Sequence, residues 1–258
     1  MACWLFASQK DGISALALKR ALEIASYQTA WAMLHRLRSV LVRPGRERLQ
    51  GHVEVDETYI GGEEPGRPGR PGKESKKVLV GVAVEREEPM GFGRCRMVPV
   101  PDASGESLRA FLVENVEPGA KVITDGWQPY QNATRDLYAH EPLSGASGAD
   151  ASKLLPGVHK VSSLAKRWLL GTHQGSVEEA HLAAYLNEFV FRFNRRRSRS
   201  RGLVFYRVLE LAAAHHPVRY RELIANPKPG TIRRPPPGTR GRPPSLERPH
   251  ARRPWRSV

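Results

Sequence analysis

The stretch that decides the fold is His52-Val-Glu-Val-Asp-Glu-Thr-Tyr-Ile-Gly-Gly62. Its β-branched residues favour a pleated backbone, and its valines alternate with polar residues at the period of a half-buried strand. A turn rich in Gly, Pro and charge follows, from residue 61 to residue 77, and ends the strand. Asp56 and Glu57 therefore lie at the end of a predicted core strand, where a rigid element can hold a carboxylate for a metal ion. Taken alone, the same pair is more often an acidic strand end that faces water.

The segments after this strand predict a mixed α/β domain. Residues 77–86 and 93–100 have the composition of strands, and Pro99 indicates that the second of them is an edge or is ending. Ser104 can begin a helix that runs to Val116, and residues 120–125 form a short buried strand. Three strands, a helix and a strand with an acid at its tip is the order of ribonuclease-H-like domains, whose mixed sheet is flanked by helices.

Two predicted strands end in aspartate, Asp56 and Asp125. In this element order the two strands are neighbours, so the carboxylates can meet, and they repel unless a cation neutralises them. Hard oxygen ligands suit Mg²⁺ or Mn²⁺, and two such ions can act on both oxygens of a phosphodiester displacement. His159 begins the next predicted helix and is the candidate third ligand. Lys166 lies two helical turns further on the same face, where it can contact a phosphate.

Composition points to a polyanionic partner. The chain has 258 residues, 41 Lys and Arg against 26 Asp and Glu, and a net charge of +15. Residues 226–258 supply +8 of this, with nine basic residues, one acid and nine prolines. Such an excess favours nucleic acid. The two cysteines, Cys3 and Cys95, give no support to a disulfide framework or a cysteine zinc site, so a reducing, cytoplasmic location is expected.

The chain is expected to divide into three parts. Residues 1–48 predict two short helices after a first amphipathic segment, and the second helix is basic. Such a pair is equally consistent with a DNA-binding helix-turn-helix and with a plain helical hairpin. Residues 49–215 are the predicted catalytic domain. Residues 216–258, rich in Pro and Arg, are expected to be a disordered basic tail.

Arginines gather at the end of a predicted helix from residue 178 to residue 194. Six of the ten residues from 192 to 201 are arginine, which favours phosphate contacts, although a solvated helix end explains them as well. The same two interpretations apply to the basic residues of the N-terminal helix and of the helix that follows His159. The predicted DNA-binding residues are Arg36, Arg38, Lys166, Arg167, Arg192, Arg195, Arg196 and Arg197.

Four blocks in this order resemble bacterial insertion-sequence transposases of the DDE superfamily, in the branch with an ISXO-like catalytic domain. The resemblance covers about residues 12–210 and implies a ribonuclease-H-like fold and metal-dependent cutting and joining of DNA at element ends. It also implies Mg²⁺ or Mn²⁺, homo-oligomerisation in the active complex and a place near the bacterial nucleoid. It assigns the catalytic positions to Asp56, Asp125, His159 and Lys166, the first three as metal ligands. The blocks are residues 51–62, Thr124-Asp-Gly-Trp127, residues 158–173 and residues 181–196.

The sequence departs from this family pattern in two places. The third ligand in most of these enzymes is glutamate, whereas this chain has His159, which relatives of this branch tolerate. Glu188 is the weaker candidate for the missing acid. An N-terminal zinc ribbon is absent and the start is abrupt, so a truncated copy or a mis-called start is expected.

Three functions remain open at this stage. The first is an active transposase, and the second is a DNA-binding protein without catalysis, either a decayed transposase or a transcriptional regulator. The third, weaker option is a ribonuclease or a Holliday-junction nuclease on the same fold. His159 can also serve only to flank its helix, and Trp127, Tyr130 and Trp168 are more often packing residues than platforms for bases.

Overall fold

The computed structural model describes residues 1–43, 45–61, 77–87, 89, 91–143, 154–174 and 177–225. These residues form nine helices and five strands. The strands are β1 (His52–Ile60), β2 (Val78–Arg86), β3 (Phe92–Pro99), β4 (Lys121–Thr124) and β5 (Ala139–Pro142). The helices are α1 (Ala2–Ser8), α2 (Ala15–Ala21), α3 (Tyr27–Ser39), α4 (Gly105–Asn115), α5 (Pro129–Thr134), α6 (Pro156–His173), α7 (Glu179–Asn194), α8 (Arg201–Ala213) and α9 (Tyr220–Ile224).

The five strands form one mixed sheet in the order β3-β2-β1-β4-β5. β1 pairs antiparallel with β2 and parallel with β4, and β5 continues the parallel side. The predicted ribonuclease-H-like fold, the neighbouring first and fourth strands and the edge position of β3 are confirmed. The sequence did not predict the fifth strand, because Ala139–Pro142 contains no β-branched residue.

Helices cover both faces of the sheet. On one face, β2, β3 and β4 pack against α6 and α7, with Val82, Ile123 and Val158 among the buried residues. On the other face, Val53 and Val55 of β1 pack against α4 and α5. The sequence predicted a half-buried β1, but Glu54 is buried together with Val53 and Val55. Both faces are covered, and a polar residue in the middle of this strand has to find a partner inside the protein.

A third core joins the two ends of the described chain. Phe6 of α1, Leu18 of α2 and Leu34 of α3 pack with Val204 and Val208 of α8. The N-terminal helices therefore share their core with α8, which the sequence had assigned to the catalytic domain. We refer to α1, α2, α3 and α8 as the helical unit.

Helix beginnings were predicted better than helix ends. Ser14 and Ser104 cap α2 and α4, as the sequence predicted, by accepting hydrogen bonds from backbone N–H groups of their first turns. The helix that carries His159 continues to His173. The predicted tail from residue 216 was wrong in its first part, since Tyr220–Ile224 form α9, and residues 226–258 lie outside the described residues. Within the described ranges, none of the helices has the length and apolar character needed to cross a membrane.

Candidate active site

Asp56 lies in the middle of β1, not at its end as the sequence predicted, and Asp125 directly follows the last residue of β4. β1 and β4 pair in parallel as His52 with Lys121 and Glu54 with Ile123, an offset of 69 residues. The same offset separates Asp56 from Asp125, so the register of the sheet aligns the two acids. Since alternate residues of a strand face the same side, both aspartates are on the face that carries α6.

The backbone turns sharply after Asp125. Gly126 has a φ of +83°, in the left-handed region that glycine adopts without strain. The Trp127 N–H donates a 3.0 Å hydrogen bond to Asp125 Oδ1. The carboxylate of Asp125 is exposed and held by this short loop.

The acids influence each other electrostatically. The pKa of Asp56 is raised to about 6, mainly by burial and also by the charge of Asp125. The Glu57 N–H, which donates a hydrogen bond to Asp56 Oδ1, lowers this pKa in part. His159 also lowers the pKa of Asp56. Asp125 and His159 thus both act electrostatically on Asp56.

Glu57 belongs to the same neighbourhood, although the sequence analysis did not include it among the predicted ligands. Burial raises its pKa to about 7, and the charges of Asp56 and Asp125 contribute to this rise. Tyr130 donates a 2.7 Å hydrogen bond from its hydroxyl to Glu57 Oε1 and opposes the rise. Tyr130 is a buried core residue, as predicted, but its hydroxyl also orients this carboxylate.

His159 and Lys166 both lie on α6. His159 is in the first turn and half-buried, whereas Lys166 lies further along the helix and is exposed. Desolvation of its ammonium lowers the pKa of Lys166, and the charge of Lys77 lowers it further. A lysine near the surface with a second cation beside it suits an anionic ligand such as phosphate.

The side chains at this site fit a divalent cation that takes only some of its ligands from the protein. Among the described residues, no three His, Cys, Asp or Glu side chains are arranged to hold a metal ion together. Mg²⁺ is usually bound through one or two carboxylates, with water and substrate phosphates as the remaining ligands. Asp56, whose pKa the charge of Asp125 raises, and Asp125 are therefore the candidate ligands.

Glu54 is a residue of this site that the sequence analysis missed. Its side chain is 0 % exposed, and it lies two residues before Asp56 on the same face of β1. Glu54 Oε2 accepts hydrogen bonds from the N–H groups of Gly157 (2.7 Å) and Val158 (3.1 Å), at the beginning of α6. Oε1 accepts a 2.6 Å bond from Arg86 Nε. An acid at a helix N-terminus is stabilised by the unsatisfied N–H groups there, so Glu54 fixes the helix of His159 to the strand of Asp56.

Gly157 is required by this close approach. A Cβ atom on Gly157 would lie 2.8 Å from ring carbons of Phe92 and 2.9 Å from Glu54 Oε2. A larger residue would push α6 away from the sheet. The signal in the sequence was the glycine two residues before His159, but its meaning depends on a partner 103 residues away.

We expect Glu54→Gln to lower the free energy of unfolding by about 1–3 kcal/mol. Both oxygens of Glu54 accept hydrogen bonds, so the NH₂ group of glutamine would face either the N–H donors of α6 or the guanidinium of Arg86 and leave them without an acceptor. The amides of Gly157 and Val158 should also exchange faster with deuterium. Urea unfolding and hydrogen exchange measure the two effects. The control is Glu87→Gln, which removes an acid of the surface pair with Arg197. Wild-type stability and exchange in Glu54→Gln would refute the anchoring role.

Glu188 and two of the predicted DNA-binding arginines form a buried ionic cluster instead. Glu188 (0 % exposed) accepts from Arg38 Nε at 2.8 Å and from Arg192 Nη2 at 2.7 Å, and Arg38 is 1 % exposed. Arg192 also donates to the backbone oxygens of Phe6 and Gln9. The prediction of DNA contact was therefore wrong for Arg38 and Arg192, which fasten α7 to the helical unit. Both carboxylate oxygens of Glu188 pair with these arginines, so Glu188 is not a third acid of the site.

The other predicted DNA-binding residues differ in their surroundings. Arg36 is exposed and donates to the Val218 oxygen at 3.0 Å. Arg195 is half-buried and stacks over the Phe191 ring. The exposed members are Arg36, Lys166, Arg167, Arg196 and Arg197, of which Arg196 donates to backbone oxygens of β3 and Arg197 pairs with Glu87 at 2.7 Å.

Comparison with known proteins gives a matching family and similar solved structures. The sequence model described as the ISXO2-like transposase domain matches residues 48–194, more than half of the chain. The chain is also similar to a crystal structure of the Mos1 mariner paired end complex with Mn, at 14 % sequence identity and a TM-score of 0.30. That similarity covers 80 % of this chain and 76 % of the other. No curated protein matches the chain.

Proposed function

The chain belongs to the ISXO2-like transposase domain family, and from this premise we propose that it cleaves and joins DNA strands at insertion-sequence ends by metal-dependent phosphoryl transfer. The observation that carries the proposal is the register of β1 and β4, which aligns Asp56 in the middle of β1 with Asp125 just after β4, together with the pKa of Asp56, which is raised to about 6 partly by the charge of Asp125. Two nearby carboxylates repel each other when both are charged, and a bound divalent cation offsets this repulsion.

Each site residue has a proposed task. Asp56 and Asp125 hold Mg²⁺ or Mn²⁺, and such ions promote attack on the phosphodiester and stabilise the leaving oxygen. His159 contributes a nitrogen ligand or a hydrogen bond to bound water or phosphate. Lys166 contacts a phosphate of the substrate. Glu54 keeps the first turn of α6, and with it His159, in place beside Asp56.

DNA is the proposed partner. The exposed cations Arg36, Arg167, Arg196 and Arg197, together with Lys166, supply sequence-independent phosphate contacts. The net charge of +15 favours the same partner. α2 and α3, separated by residues 22–26, are the proposed helix-turn-helix, and we propose that the active complex contains more than one copy of the chain.

A catalytically inactive DNA-binding protein is the second candidate. Two observations favour it: His159 stands where glutamate is usual, and no three potential ligands in the described part of the chain are arranged around one metal position. In this case the basic surface would bind DNA without cutting it.

Cleavage of element-end DNA separates the two candidates. The flanking DNA of the gene supplies the substrate, if it contains matched inverted repeats. The purified full chain is incubated with labelled repeat DNA in Mg²⁺, in Mn²⁺ or in a chelator, and cut and joined products are resolved on a gel. Products in either metal and none in the chelator support the transposase. Binding of the repeats without products in either metal supports the inactive protein.

We expect Mn²⁺ to support faster cleavage than Mg²⁺, because Mn²⁺ accepts an imidazole ligand more readily than Mg²⁺, which demands oxygen. His159→Glu should narrow the difference, since it supplies an oxygen ligand and a negative charge. Lys166→Ala should slow cleavage without changing the metal preference, and it serves as the matched control on the same helix face. A His159→Ala variant that cleaves like wild type in both metals would show that His159 has no role.

The cleavage rate should rise between pH 5 and pH 8 at a metal concentration below saturation. The pKa of Asp56 is raised to about 6 and that of Glu57 to about 7, so protons compete with the cation for the site as the pH falls through this range. A higher metal concentration should move the rise to lower pH, and Glu57→Gln should remove its upper part. A rate that is independent of pH over this range would contradict the proposed ligands.

A further inference from the structure

A cationic cavity lies away from the two aspartates, between the edge strand β3 and the helical unit. Its volume is about 290 Å³, and β3, α7, α8 and the segment before β1 supply its walls. We call it the arginine cavity. Six arginines line it, Arg43, Arg46, Arg94, Arg96, Arg195 and Arg207.

Carboxylates balance these charges only in part. Glu47 is the acid of the lining, and it pairs with Arg43 at 3.1 Å and with Arg94 at 3.3 Å while its own side chain stays 75 % exposed. Outside the lining, Glu85 pairs with Arg94 and Glu210 pairs with Arg207. The charge of Glu114 also acts on Arg46, and six arginines against these four carboxylates leave an excess of positive charge around the cavity.

Three of the six guanidinium groups have neutral groups as their hydrogen-bond partners. Arg46 donates to Asn115 Oδ1 at 2.9 Å, and Arg195 donates to the Phe191 oxygen at 3.4 Å. Arg96 donates from its two terminal nitrogens to the backbone oxygens of Cys95 and Glu47. Cations held close together and only partly neutralised favour an anion in the space between them.

Arg96 has an unmet hydrogen-bonding capacity at this cavity. The residue is 5 % exposed, and its buried Nε finds no hydrogen-bond acceptor in the described part of the chain. Burial lowers the pKa of Arg96 to about 10, and the charges of Arg46 and Arg94 lower it further. An arginine with this pKa is still charged at neutral pH, and a buried donor without an acceptor is unfavourable.

We propose that the arginine cavity is a phosphate-binding site, which takes a phosphate group of the DNA backbone or a free phosphate anion. The planar guanidinium fork matches the oxygens of phosphate, and several such groups converge here from different elements. A phosphate bound here would connect the helical unit, through Arg207, to the sheet, through Arg96. The proposal of a phosphate site depends only on the residues of the cavity, whereas its use for binding DNA rests on the proposed function.

Phosphate titration of the full chain tests the site. Binding of inorganic phosphate is measured by calorimetry, with chloride holding the ionic strength constant. We expect saturable binding to wild type, and binding about tenfold weaker to Arg207→Gln, which loses a charged hydrogen-bond donor. The matched control is Arg201→Gln, which removes an exposed arginine from the same helix outside the cavity. Arg195→Gln is a second cavity variant with the same expectation as Arg207→Gln.

Two results would overturn the proposal. One is the absence of phosphate binding beyond that of chloride, and the other is an equal loss of binding in Arg201→Gln and Arg207→Gln. Repeating the titration with the chain saturated by a short DNA duplex identifies the source of the phosphate. Weaker phosphate binding in the presence of DNA supports a phosphate of the DNA backbone as the ligand, and unchanged binding supports the free anion. Both results are consistent with a phosphate site in the cavity. None of these measurements needs cleavage, so a failure of the proposed enzymatic function stays distinguishable.

Discussion

Asp56→Asn and Asp125→Asn should each lower the rate of cleavage of element-end DNA by about a thousandfold or more. Asparagine keeps the shape of aspartate but removes the charge that holds the cation. A catalytic metal ion contributes several kcal/mol to transition-state stabilisation, and each 1.36 kcal/mol corresponds to about tenfold in rate. Gel analysis of cleaved DNA gives the rates, and a mobility-shift assay shows whether binding is retained.

Binding should be retained, because the proposed phosphate contacts of Arg36, Arg167, Arg196 and Arg197 are independent of the two acids. The matched control is Glu141→Gln, which removes the half-exposed acid of β5 that pairs with Lys121. It should cleave at nearly the wild-type rate. A wild-type rate in either aspartate variant would show that the assigned ligands are wrong.

Glu188→Gln should lower the free energy of unfolding by about 3–5 kcal/mol, the cost of breaking a buried ion pair by removing one partner. Burial alone would raise the pKa of Glu188, but the charges of Arg38 and Arg192 outweigh it and keep the pKa below its ordinary value. The variant leaves Arg38 buried without its counter-ion. Urea denaturation measures the change.

The exposed pair of Arg207 and Glu210 gives the control for this effect. Glu210→Gln should change stability by less than about 1 kcal/mol, as is usual for surface pairs. If Glu188 were the third catalytic acid, its glutamine variant would instead keep wild-type stability and lose cleavage. That outcome would restore Glu188 as a site residue and remove it from the structural cluster.

The sequence predicted four of the five strands of the sheet and the alignment of the two aspartates. The period of residues 52–60 and the element order that follows them depend on local patterns, and the order decides which strands are neighbours. Asp56 and Asp125 could therefore be placed together before any contact was known. The pKa coupling between Asp56, Asp125 and His159 agrees with that prediction.

The sequence was insufficient wherever a polar residue is buried by a distant partner. Glu54 looks like an outward residue of an alternating strand, but it binds the start of α6, 103 residues away. Arg38 looks like part of a basic helix face, but its acceptor is Glu188, 150 residues away. Periodicity indicates which face a residue occupies but not whether another element covers that face. The same limit applies to α8, whose place in the helical unit depends on long-range packing.

The central claim is that Asp56 and Asp125 hold one cation site together, and Mn²⁺ titration of the full chain tests it most directly. Calorimetry in the presence of a short DNA duplex would compare wild type, Asp56→Asn, Asp125→Asn and the control Glu141→Gln. We predict that wild type and Glu141→Gln bind Mn²⁺ with the same affinity and that each aspartate variant binds it at least about tenfold more weakly, as the loss of a charged ligand implies. Wild-type affinity in either aspartate variant would contradict the claim.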